Sequence, residues 1–162
     1  MFMTSSPKLV DALLGGWQVN GIGTYQTGTP IAISNGGNNS KLGSPGQRPN
    51  NNGKSAKLAE PTMDRYFDTS VFSQAGNFTF GNVGRFLPDL RLPGTNNWDM
   101  SLFKNFSILE KLNMQFRAEA FNALNHPVWA APGTTVNATS GFGQITSKNG
   151  NRQLQLALKL NF

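Results

Sequence analysis

The chain has 162 residues, a net charge of +6, no cysteine, and 14% charged against 38% hydrophobic residues. That length allows one ordinary domain or a piece of a larger one. The missing cysteines exclude disulfides and thiolate metal sites, and no run of about eighteen apolar residues offers a transmembrane helix. The basic residues are scattered, with no Lys/Arg cluster and no aromatic-basic motif, so nucleic acid is not an expected partner. With few charges, 18 glycines and abundant Asn, the composition disfavours helix and suits strands joined by turns.

Met1 to Lys8 lacks the basic start and apolar core of a signal peptide. The sequence as it stands is therefore expected to be soluble or to lack its natural beginning. Pro7 to Leu14 allows one or two helical turns, ended by Gly15 and Gly16. Trp17 to Thr27 then reads as a strand, with Trp17, Val19, Gly21, Gly23 and Tyr25 on one face and Gln18, Asn20, Ile22, Thr24 and Gln26 on the other. Trp17 and Tyr25 are about 27 Å apart along a strand at its usual rise. That spacing suits the two aromatic girdles of an outer-membrane barrel, and equally a Trp and a Tyr in a sandwich core.

Gly28 to Pro30 is a turn and Ile31 to Ile33 a short extension. Asn35 to Gly53 is rich in Asn, Gly, Ser and Pro and reads as a solvated loop without a core. Its charges and those just after it, Lys41, Arg48, Lys54 and Lys57, are all positive. They either attract an anionic ligand, such as lipopolysaccharide phosphates, or simply solvate the loop. Tyr66 to Phe72 is strand-like, and Leu90 to Gly94 makes a turn.

Asn97 to Phe106 is a second long strand, with Trp98, Met100, Leu102, Lys104 and Phe106 opposed to Asp99, Ser101, Phe103 and Asn105. Leu112 to Phe121 follows after the short connection Ser107–Lys111. Its Leu112, Met114, Phe116, Ala118 and Ala120 oppose Asn113, Gln115, Arg117, Glu119 and Phe121. Closing this hairpin over the connection pairs Phe106 with Leu112, Leu102 with Phe116 and Trp98 with Ala120. Asp99 then faces Glu119, with Arg117 diagonal to it. Lys104 interrupts the apolar face near the turn, where its long side chain can snorkel to a membrane interface. Asn122 begins a loop of about thirty residues, long for a compact soluble domain.

Arg152 to Phe162 is the clearest strand. Leu154, Leu156, Leu158, Leu160 and Phe162 alternate with Gln153, Gln155, Ala157, Lys159 and Asn161. About ten residues of this alternation suit a barrel strand facing lipid on one side and a wet lumen on the other; a soluble sandwich strand can look alike. By alternation of direction the short turn and the chain end share one side. The stretches 28–96 and 122–151 become long external loops.

Catalytic chemistry finds little support. His126 precedes Pro127 in a turn and has no second His or any Cys to complete a metal site. Asp99 and Glu119 could act as an acid pair, but strand periodicity already explains their positions.

Five stretches carry a resemblance: Gly15-Gly-Trp-Gln-Val-Asn-Gly21, Tyr25-Gln-Thr-Gly-Thr-Pro30, Gly81-Asn-Val-Gly-Arg85, Asn97-Trp-Asp-Met-Ser-Leu-Phe-Lys-Asn-Phe106 and Gln115-Phe-Arg-Ala-Glu-Ala-Phe-Asn-Ala-Leu-Asn-His-Pro127. With the terminal Leu158-Lys-Leu-Asn-Phe162 they resemble the C-terminal end of TonB-dependent outer-membrane receptors of the Oar-like group. Members usually begin with a carboxypeptidase-regulatory-like domain. The Arg117 to Pro127 stretch is the most specific match. The resemblance implies an all-β fold: an antiparallel meander of about four long strands with long loops, the C-terminal part of a transmembrane β-barrel of about 22 strands. It implies a plug, TonB and the barrel-assembly machinery as partners, outer-membrane lipid around the barrel, and no cofactor. Plug, TonB-contacting segment and the other strands are absent from this sequence, so residues 1–162 read as a fragment.

On that reading Asp99, Arg117, Glu119, Gln153, Gln155 and Lys159 line the lumen. Trp17, Tyr25, Trp98 and Phe106 form the aromatic girdles. Leu154, Leu156, Leu158, Leu160 and Phe162 are the signal read during barrel assembly. The alternatives are a soluble β-sandwich binding carbohydrate through Trp17, Trp98 and Trp129, or a non-functional gene fragment.

Overall fold

The computed structural model describes residues 14–41, 43, 47–109, 112–138 and 140–162. The Met1–Lys8 stretch and the helical turn expected over Pro7–Leu14 lie outside them, Leu14 excepted. The described chain is all-β. Its strands are β1 (Trp17–Gln26), β2 (Pro30–Ile31), β3 (Ser34–Asn35), β4 (Asn50–Asn51), β5 (Phe72–Ser73), β6 (Leu87–Arg91), β7 (Thr95–Leu109), β8 (Leu112–Phe121), β9 (Val128–Trp129), β10 (Thr135–Val136), β11 (Lys148–Asn149) and β12 (Gln153–Asn161).

Two compact units divide the chain. The first contains residues 1–25, 96–126 and 150–162, and the second 26–95 and 127–149. The first is a four-stranded sheet in the order β1-β7-β8-β12, so each long strand lies beside its neighbour in sequence. This is the expected meander. Residues with period-two alternation and few helix formers leave the backbone no better way to segregate its side chains.

The β7–β8 register differs from the expected one. Leu102 faces Ala118 and Met100 faces Ala120, a slide of two residues. The strands continue past Phe106 to a Leu109–Leu112 pair, with a shift between Ser107 and Leu109. A slide of two preserves which face each side chain takes, so the alternation alone could not distinguish the two registers. One consequence is a correction: Glu119 faces Ser101, and the opposed Asp99–Glu119 pair does not form.

The second unit is built from the two long connections. Both, expected as long external loops, contain short strands: antiparallel β2–β6, β4–β5 and β9–β11, and a parallel β3–β10 pair that joins residues 34–35 to 135–136. The stretch Asn35 to Gly53 also contributes buried Asn35, Ser40 and Pro49. The core gathers Ile31, Ile33, Ala56, Phe67, Val71, Phe72, Val83, Leu90 and Val136. Phe67 is fully buried, and its ring meets Phe72 at 6.0 Å and Phe142 at 5.4 Å, both edge to face. Burial of each such ring contributes about 1.5–3 kcal/mol. The strand expected over Tyr66–Phe72 is instead a 3-10 turn, Thr69–Val71, followed by β5. Asp68 accepts from the Ser70 backbone N–H and hydroxyl, which starts the turn where an extended strand would otherwise run.

Candidate functional site

The long-strand sheet has two chemically opposite faces. Register places Met100, Leu102, Lys104 and Phe106 beside Ala120, Ala118, Phe116 and Met114, and these beside Leu154, Leu156, Leu158 and Leu160. On β1, Trp17 lies near Lys104 and Gly23 lies under the Trp98 ring, so Trp17, Val19 and Tyr25 continue the same face. Lys104 apart, these side chains are exposed or half-buried, Leu154 being exposed by 73% and Leu156 by 72%. Among the described residues, every buried hydrophobic side chain belongs to the other unit. A soluble sandwich would cover one face of such a sheet. This sheet covers neither.

The opposite face brings together the polar residues expected to share a side. Glu119 faces Ser101 on β7 and Gln155 on β12. Arg117 faces Phe103 and Ala157, its guanidinium 4.7 Å from the Phe103 ring centre, while its Nε donates to Gln115 at 2.7 Å. Lys159 faces Gln115, and Gln153 faces Phe121. From β1, Asn20 donates to Ser101.

The four aromatics sort to two ends of the apolar face. Trp17 and Phe106 lie at the end where β7 runs out, 5.1 and 5.3 Å from the Lys104 ammonium. Trp98 and Tyr25 lie toward the other, where the Trp98 ring would meet a Gly23 Cβ at 3.0 Å. A side chain at that position would press on the indole, which would have to shift by a few tenths of an ångström. Lys104 corrects the snorkelling expectation. It is 2% exposed, donates to the Gly15 carbonyl, and sits between two electron-rich rings. Those partners satisfy the charge without a path to solvent. Trp17 and Trp98 lie at opposite ends of the face and do not share one sugar platform, while Trp129 packs on Tyr66 within its own unit.

A residue the sequence reading passed over ties the far ends of three strands. Asn122 is buried, with a left-handed φ of 49°. Its backbone N–H donates to Asp99 at 2.9 Å, its amide to the His126 and Gly150 carbonyls, and its Oδ1 accepts the His126 N–H at 2.8 Å. Asp99 is thereby committed to a turn, and His126 enters it through its backbone. The signal was available: Asn tolerates left-handed backbone and bonds locally, and Asn122 and Asn125, both left-handed here, punctuate the turn before Pro127.

In the second unit, Lys57, Tyr66, Asp89, Leu90, Arg91 and Leu92 help to line a cleft of about 220 Å³. Tyr66 donates to the Arg91 carbonyl at 2.8 Å and meets Trp129 edge to face at 6.4 Å. Burial pushes the Tyr66 phenol above its ordinary value, in the direction that favours the protonated, donating form.

Strands of nine to fifteen residues with one apolar, uncovered face and one polar face make the wall of a transmembrane β-barrel. The family described as outer membrane beta barrel domain matches residues 1–155, and the chain belongs to that family. No curated protein and no solved structure matches it. The protein is thus an outer-membrane β-barrel protein set in a membrane, and not the soluble sandwich of the alternative reading.

Proposed function

We propose that the chain forms the closing strands of a TonB-dependent, Oar-like receptor that takes up a substrate by energy-coupled transport. The observation that carries this reading is the sorting of side chains by register. Asp99, Arg117, Glu119, Gln153, Gln155 and Lys159 share one face, and the girdle aromatics and leucines the other. A polar inner wall is what a plugged barrel of about 22 strands requires. The polar residues line the lumen and meet the plug. Trp17 and Phe106 form one girdle, Trp98 and Tyr25 the other. Leu154, Leu156, Leu158, Leu160 and Phe162 form the strand read by the assembly machinery. The stretches 28–96 and 122–151 are extracellular loops, and substrate first touches the protein there. No catalytic residue and no cofactor enters this scheme.

The test is to isolate from native outer membrane the polypeptide that contains these residues and cross-link it in living cells. We expect a product long enough for a plug and a full barrel, with a cross-link to TonB that disappears on adding a protonophore. A product too short for further strands, or one that never cross-links to TonB, overturns the transporter reading and leaves a barrel protein of another kind.

A further inference from the structure

Of the basic residues in and just after the loop rich in Asn and Gly, the fold brings Lys57 into a cleft with Arg91 and Asp89. Among the described residues neither cation forms an ion pair with Asp89. Asp89 instead accepts from the Ser55 hydroxyl, and Arg91 donates to the Gly28 carbonyl at 3.0 Å. Opposite charges therefore share one small space without neutralising each other. Tyr66, backed by Trp129, supplies a fixed aromatic wall, and Leu58, Leu90 and Leu92 supply apolar surface. A neighbouring cleft of about 200 Å³, between Gln26 and Thr95, has no charged side chain in its lining.

We infer that the Lys57–Tyr66–Asp89–Arg91 cleft binds a small apolar zwitterion, a free α-amino acid with an aromatic or branched side chain. Its carboxylate meets Lys57 and Arg91, its ammonium meets Asp89, and its side chain lies on Tyr66 and the leucines. A simple anion would face the like charge of Asp89, and a simple cation those of Lys57 and Arg91; the zwitterion offers each an opposite charge. The volume is below the range for drug-sized ligands, which fits a single amino acid better than a peptide. The inference goes beyond the proposed transport function and does not depend on TonB, since the cleft lies wholly within one compact unit.

The experiment is ligand-detected NMR on the full chain in detergent, with L-phenylalanine as the probe and phenethylamine and 3-phenylpropionate as single-charge controls. We expect saturation transfer to phenylalanine, with each control about tenfold weaker, the loss of one charge-assisted hydrogen bond. Lys57→Gln and Asp89→Asn should each weaken phenylalanine by about the same factor while the near-ultraviolet signal of Tyr66 and Trp129 is retained. Lys57 is exposed, so its replacement leaves the core intact. If 3-phenylpropionate binds as well as phenylalanine, the site is only an anion site and the inference falls. It falls equally if phenylalanine shows no transfer, or if neither substitution weakens it. Loss of the TonB cross-link alone would leave this binding untouched, so the two readings fail separately.

Discussion

At the scale of single residues, the sheet and the loop unit rely on different chemistry. Asn122 is buried and satisfies groups on both sides of its turn. Asn122→Ala removes one acceptor and two amide N–H donors, leaving the His126 N–H and two carbonyls to find other partners. The expected cost is about 1–3 kcal/mol, read as a lower denaturant midpoint, and Asn122→Gly should lose the same bonds while easing the left-handed backbone. In the loop unit the Gly28 position is set by contact: a Cβ there would lie 1.8 Å from the Leu92 carbonyl oxygen. Gly28→Ala must move backbone and should destabilise the unit by about 1–3 kcal/mol. Asp68 gives the pH dependence. Its bonds from the Ser70 hydroxyl and backbone N–H, and then Arg65 at 3.1 Å, hold its carboxyl below the usual value of 3.8. A lowered value means that the folded unit prefers the ionised form. That contribution is complete above about pH 4 and is lost as pH falls through the folded value. Asp68→Asn should therefore flatten the acid limb of the stability curve below about pH 4, leaving neutral pH less affected than Asp68→Ala.

At the scale of elements, β12 lets the two faces be tested within one strand. Leu156 faces Ala118 on the apolar side, and Gln155 faces Glu119 on the polar side. Both lie near the middle of the strand. Leu156→Arg should cost about 2–4 kcal/mol of insertion stability, the penalty for a charge at the bilayer midplane. Gln155→Arg should be neutral or slightly favourable, because the new cation lies opposite Glu119. The measurement is equilibrium folding into lipid vesicles, and equal effects of the two substitutions would contradict the assignment of faces. The faces, and the bounds of β8 and β12 to within a residue, were legible because the side-chain period is fixed at two. The β7–β8 register was not, since Phe106 with Leu112 and Phe106 with Met114 satisfy the same alternation. Local interactions decided it: β7 runs on to Leu109, and Glu119 meets Ser101, avoiding a carboxylate opposite Asp99.

At the scale of the whole molecule, burial is divided unequally. The unit made from the long connections holds the hydrophobic core, assembled from apolar residues such as Ile31, Ala56, Phe67 and Val136. Ala56 and Val136 stand alone in sequence and create no local pattern, and Ile31 and Phe67 lie in short stretches that signalled only an extension and a strand-like run, not a core. The sheet holds the clear pattern, yet among the described residues none of its apolar side chains is fully buried. In water that face is an uncovered hydrophobic surface beside strand edges at β1 and β12, a combination that drives association. Without detergent the 162-residue chain should sediment as large assemblies, and dodecyl maltoside should disperse it. The near-ultraviolet signature of Tyr66 against Trp129 should survive in both conditions, because that pair lies inside one unit. Replacing Leu154, Leu156 and Leu158 together by Thr keeps β propensity and removes the apolar surface, so this variant should need markedly less detergent. If the unaltered chain is instead a monodisperse monomer in plain buffer, the leucine face must be covered in solution, and it is then not the surface that meets lipid.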